Sequence, residues 1–93
     1  MSEEKKEQKI PELNIYNELT VISAALSQMA MCLMGIQLIP GQKEMKVDME
    51  QAKVAIDAVD FLVKQIEPKL APEQVKEFHR IITDLQLNYA KRK

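Results

Sequence analysis

The first hydrophobic segment of the chain carries apolar residues at alternating steps of four and three. This spacing predicts a heptad seam on one face of a helix, made of Ile15, Leu19, Ile22, Leu26, Met29, Leu33 and Ile36. Pro11 suits the first position of a helix, because its missing N–H would be unpaired there. Pro40 and Gly41 predict a turn. The pattern therefore predicts a first helix from Pro11 to about Leu38.

This first helix is also apolar outside its seam. No charged residue occurs in the 21 residues from Leu19 to Ile39, so the helix must be covered on nearly every side. Two other helices cannot enclose it, and the remainder would be a larger apolar patch than soluble monomers tolerate. We therefore predict a homodimer or a higher even oligomer with the seam as its interface. Small residues are expected to let the two copies approach closely: Ser23, Ala24, Ser27 and Ala30.

Two further helices are predicted. Asp48 followed by Gln51 forms a capping-box pattern and begins a second helix that extends to about Ile66. Pro68 ends it, and Pro72 begins a third helix with a seam of Val75, Phe78, Ile82, Leu85 and Tyr89. The predicted fold is therefore all-α: a long helix followed by a helical hairpin, forming a helical bundle that oligomerisation completes.

Length and composition restrict the class of protein. A chain of 93 residues with 46% hydrophobic and 29% charged residues is a single globular domain, expected over residues 11–93 after a disordered polar tail at residues 1–10. The net charge of −1 argues against nucleic-acid binding. One unpaired Cys excludes a disulfide framework. Together with a polar N-terminus that lacks a signal-peptide pattern, it predicts the cytoplasm.

The residues that could be catalytic or bind a metal each have a structural explanation. His79 lies among polar residues opposite the seam of the third helix and is expected to be a solvated surface side chain. Cys32 has no cation within helical reach and is expected to be a buried, inert thiol. The methionines around it are read as packing residues rather than as a Cu(I) site: Met29, Met31 and Met34.

Carboxylates on the later helices are spaced for ion pairing rather than for catalysis. Asp57 and Asp60 each have a lysine four residues away, Lys53 and Lys64 respectively, which predicts a solvated ladder of ion pairs. The same interpretation holds for Glu73, Glu77, Arg80 and Asp84. We therefore predict no catalytic residues, no cofactor and no metal site.

The sequence favours a non-enzymatic, self-associating helical protein that binds a further macromolecule of unknown identity. The alternative is a membrane-associated protein anchored by the apolar helix of residues 19–39, since about 20 residues suffice to span a bilayer. Gln28 near the middle of that segment disfavours insertion, because lipid penalises an unpaired amide. An enzyme is a third hypothesis, and no polar groups converge at catalytic spacing to favour it.

Several segments resemble a bacterial family of small proteins, domain-of-unknown-function family 1844. The most specific is an Ala-x-x-x-Ile-Asp pattern from Ala52 to Asp57. The other segments are Leu19 to Gly35, Pro40-Gly41, Val47 to Lys53, Phe61-Leu62, Leu70 to Gln74 and Leu85 to Tyr89. The chain departs from the family at Ala71, where a Thr cap is usual, and at Gln86 and Asn88, where Arg is frequent. The resemblance implies a small helical fold and no catalytic residues.

Overall fold

The computed structural model describes residues 12–38, 41–43 and 46–92. Helix α1 spans Ile15–Leu33, α2 spans Met49–Ile66 and α3 spans Pro72–Arg92, with a short 3-10 turn at Glu67–Lys69 between α2 and α3. The predicted all-α fold of three helices is confirmed. The expected disordered tail at residues 1–10 and the expected helix start at Pro11 lie outside the described residues.

Asn14 determines where α1 begins. Its side-chain Oδ1 accepts hydrogen bonds from the backbone N–H groups of Tyr16 at 3.0 Å and Asn17 at 3.1 Å. These two donors have no partner inside the helix, so the cap stabilises the first turn. The helix therefore begins at Ile15, immediately after a good capping residue.

Gly35 determines where α1 ends, and the predicted extension to about Leu38 is wrong. Gly35 has a φ of 81°, and its N–H donates to the carbonyl of Cys32 at 3.1 Å. The N–H of Ile36 donates to the carbonyl of Met31 at 3.0 Å. This pair of bonds is a Schellman motif, which terminates a helix with a left-handed residue. Ile36, the last residue of the predicted seam, consequently lies outside α1.

Replacing Gly35 with alanine is expected to lower the free energy of unfolding by about 1–2 kcal/mol, because a Cβ makes the left-handed conformation unfavourable. Gly35→Asn is expected to cost less, since Asn tolerates that region. Urea denaturation followed by circular dichroism measures both. Equal stability of the wild type and both variants would contradict the role assigned to this glycine.

Side-chain caps also define the other two helices. Asp48 Oδ1 accepts from the N–H of Gln51 at 3.0 Å, and Gln51 Nε2 donates to Asp48 Oδ2 at 2.8 Å. Helix α2 then begins and ends where the sequence predicts. Helix α3 begins at Pro72, also as predicted. Gln74 Oε1 accepts from the N–H of Ala71 at 3.1 Å, which satisfies one donor although Ala71 has no capping side chain of its own.

Helix α1 packs mainly on α2, and it does so through small residues. Ser23, Ser27 and Ala30 are buried on α1, and Ala30 shares a core cluster with Ala52 and Ala55 of α2. The prediction that these small residues serve close approach between two copies is therefore corrected for three of the four positions. They let α1 approach α2 within one chain, whereas Ala24 is exposed.

Helix α3 closes the core through the middle of its predicted seam. Phe78 and Ile82 pack in a cluster with Val59 and Val63 of α2, and Leu85 joins the cluster of small α1 and α2 residues. The predicted hairpin of the last two helices is thus only part of the core. The more extensive contact is between α1 and α2.

Candidate interaction surface

The residues of the predicted interface seam are not buried within the chain. Four of them are exposed, namely Ile15, Ile22, Met29 and Ile36, and three are half-buried, namely Leu19, Leu26 and Leu33. The chain's own core uses the neighbouring face of α1, which carries the small residues. We call the six seam residues within the helix the α1 stripe: Ile15, Leu19, Ile22, Leu26, Met29 and Leu33.

The exposed residues of the α1 stripe lie on the flank of α1 that faces away from α3. Met31 lines a shallow recess together with Ile81 and Leu85 of α3, so that side of α1 is turned toward α3. A helix turns by 100° per residue, which places Ile22 on the opposite side of α1 from Met31. Met29 also lies far from Met31 around the helix and exposes 54% of its surface.

Helix α2 carries a second uncovered apolar row on its side away from α3. Val54 and Phe61 are 69% and 61% exposed, and Ala58, between them, is half-buried. We call these three residues the α2 stripe. The residues of α2 that line recesses shared with α3 include the charged side chains Lys53 and Lys64. The α2 stripe, in contrast, contains no charge.

Sequence reasoning missed the α2 stripe, because Val54 and Phe61 are two among many apolar residues of the second helix. The buried side of α2 is complete without them, since six residues along one helix face fill it: Ala52, Ala55, Ile56, Val59, Val63 and Ile66. The signal available in the sequence is this surplus of apolar residues beyond a single helix face.

The α1 and α2 stripes together form one candidate surface, which we call the hairpin face. The exposed residues of both stripes lie on flanks turned away from α3, and half-buried residues of the α1 stripe pack on the core between the helices. Leu26 packs against the cluster that contains Val59 and Val63, and Leu33 packs against the cluster that contains Ala52. The hairpin face is thus continuous with the core.

The predicted ion pairs occur on α2. Lys53 Nζ lies 2.9 Å from Asp57 Oδ2, and Lys64 Nζ lies 3.1 Å from Asp60 Oδ2. The hydrogen bond to Asp57 and the nearby negative charge raise the pKa of Lys53 above its ordinary value. Exposed pairs of this kind contribute little to stability, and their effect is to keep this side of α2 hydrated.

Arg80 is the centre of a similar group on α3. Its guanidinium pairs with Glu77 one turn earlier and lies 3.1 Å from Asp84 one turn later. Hydrogen bonding and charge attraction between Arg80 and Glu77 lower the pKa of the Glu77 carboxyl and raise the pKa of Arg80. All three side chains are exposed, so they form a solvated network rather than an enclosed site.

His79 is exposed, as expected, and it also has a partner. Its Nε2 lies 2.9 Å from Oε2 of Glu67 in the turn between α2 and α3. The contact joins the second turn of α3 to the preceding connection. The contact between His79 and Glu67 is open to solvent. Its role as a link between two neighbouring segments is enough to explain it.

The prediction of a fully buried Cys32 is wrong, because Cys32 is only half-buried. The three methionines near it point in different directions around α1: Met34 is buried, Met31 is half-buried and Met29 is exposed. Their sulfurs therefore do not converge on one point. In the described part of the chain, no three His, Cys, Asp or Glu residues lie close enough together to hold a metal ion.

Among the residues that the structure describes, no helix combines the length and hydropathy needed to cross a membrane.

These features define a small three-helix protein with paired charges along α2 and α3 and an apolar hairpin face on the other side. The chain belongs to the family described as domain of unknown function DUF1844, whose model matches residues 18–91. The resemblance inferred from the sequence is confirmed. The matched region contains nearly all of both stripes. No curated protein and no solved structure matches the chain.

Proposed function

We propose that this protein is a non-enzymatic helical protein that self-associates through its hairpin face and acts as an interaction module in the cytoplasm. The uncovered α1 stripe carries this proposal. Every residue of the stripe is exposed or half-buried in the single chain, although the segment from Leu19 to Ile39 contains no charge. An uncovered apolar surface of this length on a helix is typical of a site that a partner covers in water.

The chemistry of the hairpin face favours a protein partner. Interface cores are depleted of charge and enriched in aromatic residues and methionine, and the hairpin face offers Phe61 and Met29 without a charged side chain within either stripe. Ile22, Met29 and Phe61 are 38%, 54% and 61% exposed, so covering each one contributes only that part of the about 1.5–3 kcal/mol of full burial. In a two-fold assembly each residue contributes twice, once from each copy.

The charge of the chain also favours association with a second copy. Its formal net charge is only −1, so two copies repel each other weakly at long range. The charged side chains that the structure describes on α2 and α3 include several exposed ion pairs. These positions leave the hairpin face as the surface best suited to a desolvated contact.

We expect light scattering in buffer without detergent to give the mass of a dimer or a higher even oligomer. Met29→Asp is expected to shift the particle to the monomer mass, because a desolvated interface would have to bury an unpaired carboxylate. Leu87→Asp is the matched control. Leu87 is 55% exposed against 54% for Met29, but it lies on α3 and outside both stripes, so this variant should keep the mass of the wild type.

Met29 is a better test position than Leu26, although both belong to the stripe. Leu26 packs against buried core residues, so a charge there would unfold the chain as well as disrupt an interface. A wild-type chain that is monomeric at high concentration would overturn the proposal. It would also fail if Met29→Asp and Leu87→Asp had the same effect on the mass while both retained the helical circular dichroism spectrum.

A further inference from the structure

We infer that the occupant of the hairpin face is the hairpin face of a second copy, with the two α1 helices antiparallel about a two-fold axis at the level of residue 24. The result is a four-helix bundle of two α1–α2 hairpins, with α3 on the outside of each copy. This inference rests on the proposed self-association and specifies its partner and geometry.

The length of the α1 stripe identifies what covers it. From Ile15 to Leu33 the stripe extends over 18 residue steps, about 27 Å at 1.5 Å per residue. The α2 stripe covers only the seven steps from Val54 to Phe61, about 10 Å. An apolar surface as long as the α1 stripe is therefore matched by another α1 stripe rather than by the α2 stripe of a second copy.

The spacing of the α1 stripe fits an antiparallel partner. Its steps of four, three, four, three and four read the same in both directions, with their midpoint at residue 24. A two-fold axis at that level brings Ile22 opposite the partner's Leu26. It likewise brings Leu19 opposite the partner's Met29 and Ile15 opposite the partner's Leu33. Each stripe residue then meets a stripe residue, as in the layers of an antiparallel coiled coil.

Charge at the start of α1 disfavours the parallel alternative. Glu18 lies in the first turn of α1 and is exposed, and Glu12 precedes the helix. Parallel helices would place these carboxylates beside those of the second copy. The antiparallel arrangement separates the two acidic ends by the length of the helix and sets the helix dipoles in opposite directions.

The same axis also covers the α2 stripe. Leu26 packs against the cluster that contains Val59 and Val63, so Phe61 lies at about the height of the α1 midpoint. Stacking the two hairpin faces therefore brings Phe61 near the partner's Phe61, where a pair of aromatic rings packs favourably. A parallel pair of α1 helices would instead turn the two α2 helices to opposite sides and leave Phe61 uncovered.

Single cysteines test this arrangement. The variants are made in a Cys32→Ser background, which removes the native thiol. In the antiparallel pair, residue 22 lies four residues, about 6 Å along the helix axis, from residue 22 of the second copy. Residue 29 lies ten residues, about 15 Å, from residue 29 of the second copy. With a short bis-maleimide linker we expect Ile22→Cys to give covalent dimer as the main product and Met29→Cys to give only traces. Leu87→Cys in the same background controls for crosslinking by random collision.

The native Cys32 provides a second measurement without any change to the stripe. In the antiparallel pair it lies sixteen residues, about 24 Å, from its counterpart, so the unaltered chain should remain uncrosslinked. Efficient crosslinking of Cys32, or equal crosslinking at positions 22 and 29 in a particle of dimer mass, would overturn the antiparallel geometry but leave self-association standing. A monomer by light scattering would instead overturn the proposed function and this inference together.

Discussion

Leu85→Ala is expected to lower the free energy of unfolding by about 2–5 kcal/mol, the range found for a buried leucine that leaves a cavity. Leu85 is only 2% exposed and extends from α3 into the cluster formed by Ala30, Met34, Ala52, Ala55 and Ile56. Those neighbours include three alanines, which cannot reorient to fill the space. The loss is a large fraction of the total stability expected for a domain of this size.

Urea denaturation followed by circular dichroism at one fixed chain concentration measures this loss, because association makes apparent stability depend on concentration. Leu87→Ala is the control. It removes the same atoms two residues further along α3, from a side chain that is mostly exposed, and should change stability by less than about 0.5 kcal/mol. Equal losses for the two variants would show that α3 does not pack through Leu85.

Ser27→Leu should lower the free energy of unfolding by about 1–3 kcal/mol, because extra bulk in a packed contact forces backbones and side chains to shift. Ser27 is buried where α1 meets α2, and its Oγ donates to the carbonyl of Ser23 at 2.8 Å. A leucine removes that bond and separates the helices. The melting temperature measured by circular dichroism should fall accordingly.

Two companion variants separate size from polarity at this contact. Ala24→Leu adds similar bulk at a position on α1 that is exposed, so it should leave the melting temperature nearly unchanged. Ser23→Ala removes a buried hydroxyl that has no hydrogen-bond partner among the described residues, and it should be neutral or stabilising. A Ser23→Ala variant as unstable as Ser27→Leu would show that the hydroxyls, rather than the spacing, hold α1 against α2.

Local signals in the sequence predicted the helices well. Asp48 with Gln51, and Pro72, each fixed a helix start, because capping chemistry acts between neighbouring residues. The same kind of signal was present at Gly35 and was overlooked in favour of the longer apolar pattern. A glycine followed by an apolar residue at the end of a periodic segment is typical of a Schellman motif, which ends α1 before Ile36.

The choice of the buried face of α1 could not be predicted in the same way. A helix that is apolar nearly all round offers several equivalent faces, and periodicity does not say which one meets α2. The core uses Ser23 and Ala30 because small residues let two backbones approach, whereas the larger residues of the α1 stripe would hold them apart. The seam is present on α1 as a pattern, but its residues are exposed or half-buried and the centre of the chain's own core lies on the neighbouring face.

The small residues between α1 and α2 also affect how much side-chain conformational entropy the chain loses when it folds. Alanine has no side-chain rotamers to lose, so burying Ala30, Ala52 and Ala55 removes almost no side-chain freedom. The flexible side chains of the hairpin face, such as Met29, keep their rotamers in the folded monomer. In the proposed dimer that freedom would be lost only on association, so folding and association would each carry a separate part of the entropic cost.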